Sequence, residues 1–186
     1  MTDSQRTPPT TNLTPAWATG VAEGLWAGGC RDIVYVPDNP LSHILAALSR
    51  DHQEVRTILA TREEEAMGIA AGLCLGGRRP AVLMQSSGLG NTLNAVGSLL
   101  LAYQLPAVLV ISMRGDPGEW NWAQVPMGRA VAPVLHAFGV QQVTVERGED
   151  ARPLVLAAAT LAFATRSLAA CLLPRRLTVP VEGGRA

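Results

Sequence analysis

Short apolar runs alternate with helix-patterned segments along nearly all of this 186-residue chain, and that alternation leaves few folds open. The runs DIVYVP (32–37), PAVLMQ (80–85), PAVLVISM (106–113) and LAACLLP (168–174) are apolar on both faces of an extended strand, and EVRTILA (54–60) and VQQVTV (140–145) are further strand candidates. Helical spacing fills the intervals at 14–29, 41–49, 62–76, the stretch up to about 103, 129–139 and 151–167. Thr14 is placed to cap the first of these helices, with Pro15 at its first position. Strands buried on both faces and separated by helices predict an α/β, doubly wound fold. Its mostly parallel sheet has about six strands and helices on both faces. The division expected is a disordered lead-in over 1–12, one domain over 13–174 and a tail over 175–186.

In such sheets ligands gather at the carboxyl ends of the strands. That rule selects PDNP, ATREEE, QSSGLGN and SMRGDPGEWNWAQVPMG, which are also the loops richest in polar and glycine residues.

Within TREEEAMGIAAG (61–72), Thr61 as N-cap would put Glu64 at the third helical position, a capping box. Glu63 and Glu65 would then be favoured by the positive helix end, so helix physics alone accounts for the acidic cluster. A catalytic carboxylate is the competing reading, because this helix starts where sites form. Gly68, Gly72 and Gly76 follow at four-residue intervals, a smooth face that suits either tight internal packing or close approach of a ligand or another helix. SSGLGN follows a strand and opens a helix, so its amides are placed to receive an anion. It is not a dinucleotide fingerprint, since position 93 is Leu, nor a P-loop or a serine-hydrolase elbow. Trp120 and Trp122, in a loop rich in glycine and proline, suit an interface, a substrate lid or packing back onto the body.

The formal charge is zero, which argues against a nucleic-acid-binding face. No apolar run reaches membrane-spanning length uninterrupted, and the first residues lack the layout of a secretory signal. Cys30, Cys74 and Cys171 are far apart in apolar surroundings and read as buried free thiols of a cytoplasmic protein. His43, His52 and His136 are equally scattered, so neither a metal site nor a histidine-based active site is expected.

Taken together, VYVPDNPLSHIL, TREEEAMGIAAG, AVLMQSSGLGNTLNAVGSL and RGDPG followed by QVPMGR resemble the pyrimidine-binding domain of thiamine-diphosphate enzymes. The likeness runs from about residue 14 to 173 and is strongest to the sulfopyruvate decarboxylase alpha subunit and the matching half of phosphonopyruvate decarboxylase. The resemblance implies that Glu63, nine residues ahead of Gly72, hydrogen-bonds N1′ of the cofactor's aminopyrimidine and so promotes removal of the thiazolium proton. It places Gly88, Gly90 and Asn91 beside the pyrimidine, and Asp38 and Asn39 toward substrate. It offers Arg114, which alternatively stabilises its loop, and Gln124 as further substrate contacts. Where those relatives are expected to read Asp-Glu-Pro-Gln-His, this chain reads NWAQV, keeping Gln124 but placing Val125 at the histidine position.

The chain contains no Gly-Asp-Gly motif with a downstream Asn, the pattern that holds the diphosphate and its metal in this superfamily. The resemblance therefore implies half of a cofactor site, with thiamine diphosphate shared with a beta subunit that carries the diphosphate-binding domain and holds Mg2+. A hetero-oligomer such as α2β2, acting as a decarboxylase on a small 2-oxo acid, is the expected assembly. The alternatives are a carboligase subunit of the acyloin or acetolactate type and a non-catalytic binding module of the same fold.

Overall fold

The computed structural model describes residues 14–179. The lead-in expected over 1–12 lies outside them, as does most of the tail.

Six strands form one sheet: β1 (Asp32–Tyr35), β2 (Arg56–Leu59), β3 (Pro80–Gln85), β4 (Ala107–Ser112), β5 (Gln141–Thr144) and β6 (Leu168–Leu173). Their order is β2-β1-β3-β4-β6-β5, and every pairing is parallel. Apolar content sorts the strands. β3, β4 and β6, the most continuously apolar runs, lie inside, whereas β2 and β5 carry exposed polar residues and form the edges.

Among the described residues seven α-helices accompany the sheet: α1 (Ala16–Ala27), α2 (Asn39–Asp51), α3 (Glu63–Leu75), α4 (Ser86–Ala95), α5 (Val125–Ala137), α6 (Ala151–Thr165) and α7 (Arg175–Thr178). α1, α2 and α6 cover one face, whose core includes Leu25, Ile33, Ile44, Leu83 and Val155. α3, α4 and α5 cover the other, around Met67, Val82, Met84, Leu109 and Val131. Successive strand residues such as Val82 and Leu83 enter opposite cores, as the period-two side-chain alternation of a strand requires.

Helix packing separates the two readings of the glycine stripe. Gly68 and Gly72 face open space and hold no internal neighbour. The tight glycine contact belongs to α1, where Gly20, Gly24 and Gly28 recur at the same interval against α6. A Cβ on Gly24 would stand 2.8 Å from Cβ of Val155 and 2.9 Å from the Arg152 carbonyl oxygen.

Three local predictions also shift. SSGLGN is not a loop but the first turns of α4, and the helix passes into a π-helical segment at Val96–Leu101. Residues 175–178, expected as tail, form α7 and bury Thr178. Cys30 and Cys171 are buried, and burial pushes each thiol up to about 12. Cys74 is only partly buried; its Sγ donates to the Pro106 carbonyl at 2.8 Å, and desolvation raises it to about 11.

Asp32 opens β1 fully buried. Burial alone would raise its pKa, but Arg78 and Arg56 each donate a hydrogen bond at 2.6 Å and bring it below the usual carboxylate range. This cluster lies at the amino end of the sheet, away from the edge where ligands gather. No helix among the described residues is long and apolar enough to cross a membrane.

Candidate functional site

The chain changes direction across the sheet between β1 and β3, and the carboxyl ends of those strands form the crevice. Asp38 ends the β1 loop as the N-cap residue of α2. Its side chain does not bond the helix, as a capping aspartate would, but turns across the crevice. It accepts Gln85 Nε2 from the end of β3 at 3.0 Å and Ser112 Oγ from the end of β4 at 2.6 Å. Three strand ends are thereby tied through one carboxylate. Asn39 begins α2 beside it, exposed.

Glu63 is the first residue of α3, at the carboxyl end of β2. The capping box predicted from Thr61 and Glu64 is displaced by one residue. Helix α3 begins after Arg62, so its third position is Glu65, and this carboxylate accepts the Thr61 amide at 2.7 Å and the Thr61 hydroxyl as well. Those bonds lower Glu65 below the ordinary glutamate range. Local helix physics thus employs Glu65 and leaves Glu63 without a capping duty.

The Glu63 side chain lies directly on Gly88 of α4. A Cβ there would fall 2.2 Å from Oε1 and 2.4 Å from the carboxyl carbon, so only glycine lets both helices keep this separation. Among the described residues the carboxylate has one hydrogen bond, from Asn91 Nδ2 at a long 3.4 Å. It is half-buried at the helix N-terminus, with lone pairs left to accept from a ligand. Gly90, on the same helix, adjoins the Met127 methyl group, which a Cβ would approach to 3.1 Å.

Arg114 follows β4. Its amide donates to Ser86 Oγ at 3.1 Å, while its Nε and Nη2 form a fork on Glu119 at 2.6 and 2.7 Å. The Glu119 side chain is 1% exposed and also accepts the amides of Asn121 and Gly115, so the tryptophan loop is folded around this ion pair. The Arg114 hydrogen bonds, opposed by burial and aided by those amides, hold Glu119 down at about 2. Gly128 at the start of α5 seats the loop, since a Cβ there would collide with the Arg114 carbonyl at 1.8 Å. Gln124 closes a 3-10 turn before α5, and its Oε1 is buried with no partner among the described residues. Trp120 and Trp122 are 78% and 84% exposed and do not fold back.

The sites named from sequence therefore form two neighbouring groups on one edge: Glu63 with Gly88 and Asn91, and Asp38 with the Arg114 loop. Gln85, Ser86, Ser112 and Glu119, which join these groups, were not singled out by sequence. Nor was Arg175, which reaches this edge from α7. Their signal is strand adjacency, and residue spacing does not encode it. Among the described residues no cluster of three or more His, Cys, Asp or Glu is placed to hold a metal ion.

Residues 16–121 match the family described as thiamine pyrophosphate enzyme, N-terminal TPP binding domain. The sulfopyruvate decarboxylase subunit alpha of Methanococcus maripaludis is 36% identical over 143 residues, which are 77% of this chain and 85% of that protein. The subunit of the same name from Methanocaldococcus jannaschii is 42% identical over 123 residues, 66% of this chain and 72% of that one. Phosphonopyruvate decarboxylase of Streptomyces viridochromogenes is 32% identical, over 81% of this chain and 38% of its own length. Among solved structures, 2-oxoglutarate:ferredoxin oxidoreductase from Magnetococcus marinus superposes with a TM-score of 0.69 at 15% identity, over 88% of this chain and 29% of that chain, a likeness of fold alone.

Proposed function

The chain belongs to the thiamine pyrophosphate enzymes, through their N-terminal TPP binding domain, and from that premise we propose that it is the pyrimidine-binding alpha subunit of a two-subunit 2-oxo-acid decarboxylase of the sulfopyruvate and phosphonopyruvate type. The observation that carries this reading is the Glu63 carboxylate. It is relieved of capping by Glu65, seated on Gly88 and short of hydrogen-bond partners at the carboxyl edge of the sheet. That arrangement fits a ring nitrogen of thiamine diphosphate.

When bound, the cofactor supplies the electron sink that lets carbon dioxide leave a 2-oxo acid. Glu63 holds a proton against the aminopyrimidine nitrogen. Gly88 gives the Glu63 carboxylate room against α4, Gly90 does the same for the Met127 methyl group, and Asn91 orients the Glu63 carboxylate. Asp38 and Asn39 face the substrate, with the Asp38 carboxylate fixed by Gln85 and Ser112. The buried Oε1 of Gln124 is an acceptor for a substrate or cofactor N–H or O–H group. Arg114 holds the loop in shape through Glu119. A partner beta subunit binds the diphosphate and Mg2+, which this chain's residues have no motif to hold.

The test is co-expression with the partner chain, followed by carbon dioxide release from sulfopyruvate in the presence of thiamine diphosphate and Mg2+. Glu63→Gln is expected to lower turnover by about a hundredfold or more, the scale of a lost proton-transfer group, with an unchanged circular dichroism spectrum. Full activity in that variant would remove Glu63 from the mechanism. A rise in product carbon number on adding an acceptor aldehyde would instead identify a carboligase.

A further inference from the structure

Beside the Asp38 carboxylate lies a cavity of about 180 Å³, walled by Asn39, Pro40, Arg114, Trp120, Arg175 and Thr178. Pockets for drug-sized ligands run to about 300 Å³ or more, so this one suits a fragment of a few heavy atoms.

Its charged groups are unequally engaged. Both oxygens of Asp38 accept hydrogen bonds from Gln85 and Ser112, and the guanidinium of Arg114 is closed on Glu119. Arg175 differs. Its amide donates to Asp116 Oδ2 at 3.1 Å and its Nε reaches the Gly118 carbonyl at 3.4 Å, so the residue is fixed at the wall. Among the described residues, its two terminal nitrogens carry neither a hydrogen bond nor an ion pair. A half-buried guanidinium anchored at its base, with its outer fork unengaged, is prepared for a planar or tetrahedral oxyanion.

We infer that Arg175 binds the acidic group on the substrate carbon remote from the 2-oxo acid function, in a cavity that Trp120 also lines, and so selects 2-oxo acids that bear an anionic C3 substituent. This rests on the proposed decarboxylase activity. It assigns the anion-binding role to Arg175 in place of Arg114, whose charge is balanced within its own loop. Asn39 and Pro40, at the start of α2, form the opposite wall.

The experiment compares kcat/KM for sulfopyruvate with kcat/KM for pyruvate in the reconstituted complex, for the wild type, Arg175→Gln and Arg175→Lys. The ratio is expected to fall about 10- to 100-fold in Arg175→Gln, mainly through KM for sulfopyruvate, as loss of a charge-assisted hydrogen bond implies, and to recover in part in Arg175→Lys. A ratio unchanged in Arg175→Gln, or equal losses for both substrates, overturns the assignment. A second measurement follows tryptophan fluorescence of the full chain during titration with 3-sulfopropanoate, which cannot be decarboxylated. Saturable quenching in the wild type that is lost in Arg175→Gln and in Trp120→Phe supports the site. The same response in wild type and Arg175→Gln, or no response in either, overturns it. If the wild-type complex releases no carbon dioxide from any 2-oxo acid, the decarboxylase reading falls, and the titration alone decides the anion site.

Discussion

Glu119 is buried because Arg114 meets it with two hydrogen bonds, and that dependence sets an acid limit on the loop above the site. A free glutamate titrates near about 4.3, whereas this one is held at about 2. A carboxylate lowered on folding adds stability that is complete above the unfolded value and is lost as pH falls through the folded one. The loop carrying Trp120 and Trp122 is therefore expected to loosen between about pH 4.5 and 2, seen as a change in tryptophan fluorescence. Glu119→Gln is expected to lack that step and to show the loosened signal already at neutral pH. Legibility at this scale is uneven. Glu63 is singled out by its distance to Gly72, a family likeness, and its role rests on the proposed function, whereas helix physics read from sequence pointed to Glu64 and missed Glu65 by one position. The partners Gln85, Ser112 and Glu119 gain meaning only when β1, β3 and β4 stand side by side, an order that no local pattern states.

At the scale of elements, the two glycine stripes teach the same lesson. Gly20, Gly24 and Gly28 share their four-residue interval with Gly68, Gly72 and Gly76, yet the first set is packed against α6, whereas Gly68 and Gly72 of the second are open. Periodicity defines a smooth helical face but not which neighbour lies against it. The contrast is measurable. Gly24→Ala is expected to destabilise the chain by about 1–2 kcal/mol in denaturant unfolding, because overpacking against Val155 and Arg152 exceeds the gain in helix propensity. Gly72→Ala meets nothing and is expected to be neutral or to stabilise by up to about 1 kcal/mol. The strands were the most legible elements, because apolar residues on two faces have no other stable place in a helix-covered sheet. The start of α4 was not, since SSGLGN carries loop residues but continues the helix from its first serine.

For the whole molecule, doubly wound architecture followed from the alternation of strands and helices, whereas the exposure of Leu59, Leu75, Trp120 and Trp122 required the structure. Large apolar side chains of this kind, with the open glycine face of α3, suit coverage by a partner. Addition of the proposed beta subunit is expected to reduce acrylamide quenching of tryptophan fluorescence, and Trp122→Ser to remove part of that protection. Unchanged quenching in a formed complex would put the interface elsewhere. The strand order has a further consequence, for synthesis. β1 to β4 are contiguous in the sheet and can assemble as they leave the ribosome, but among the described strands β5 pairs with β6 alone, which emerges later and must enter between β5 and β4. Until it does, β4 presents a long apolar edge to solvent, and Arg175, two residues after β6, is not yet held in place. The nascent chain thus passes through an interval in which the Asp38 crevice is assembled, the proposed anion pocket is missing, and its most continuously apolar strand edge is uncovered.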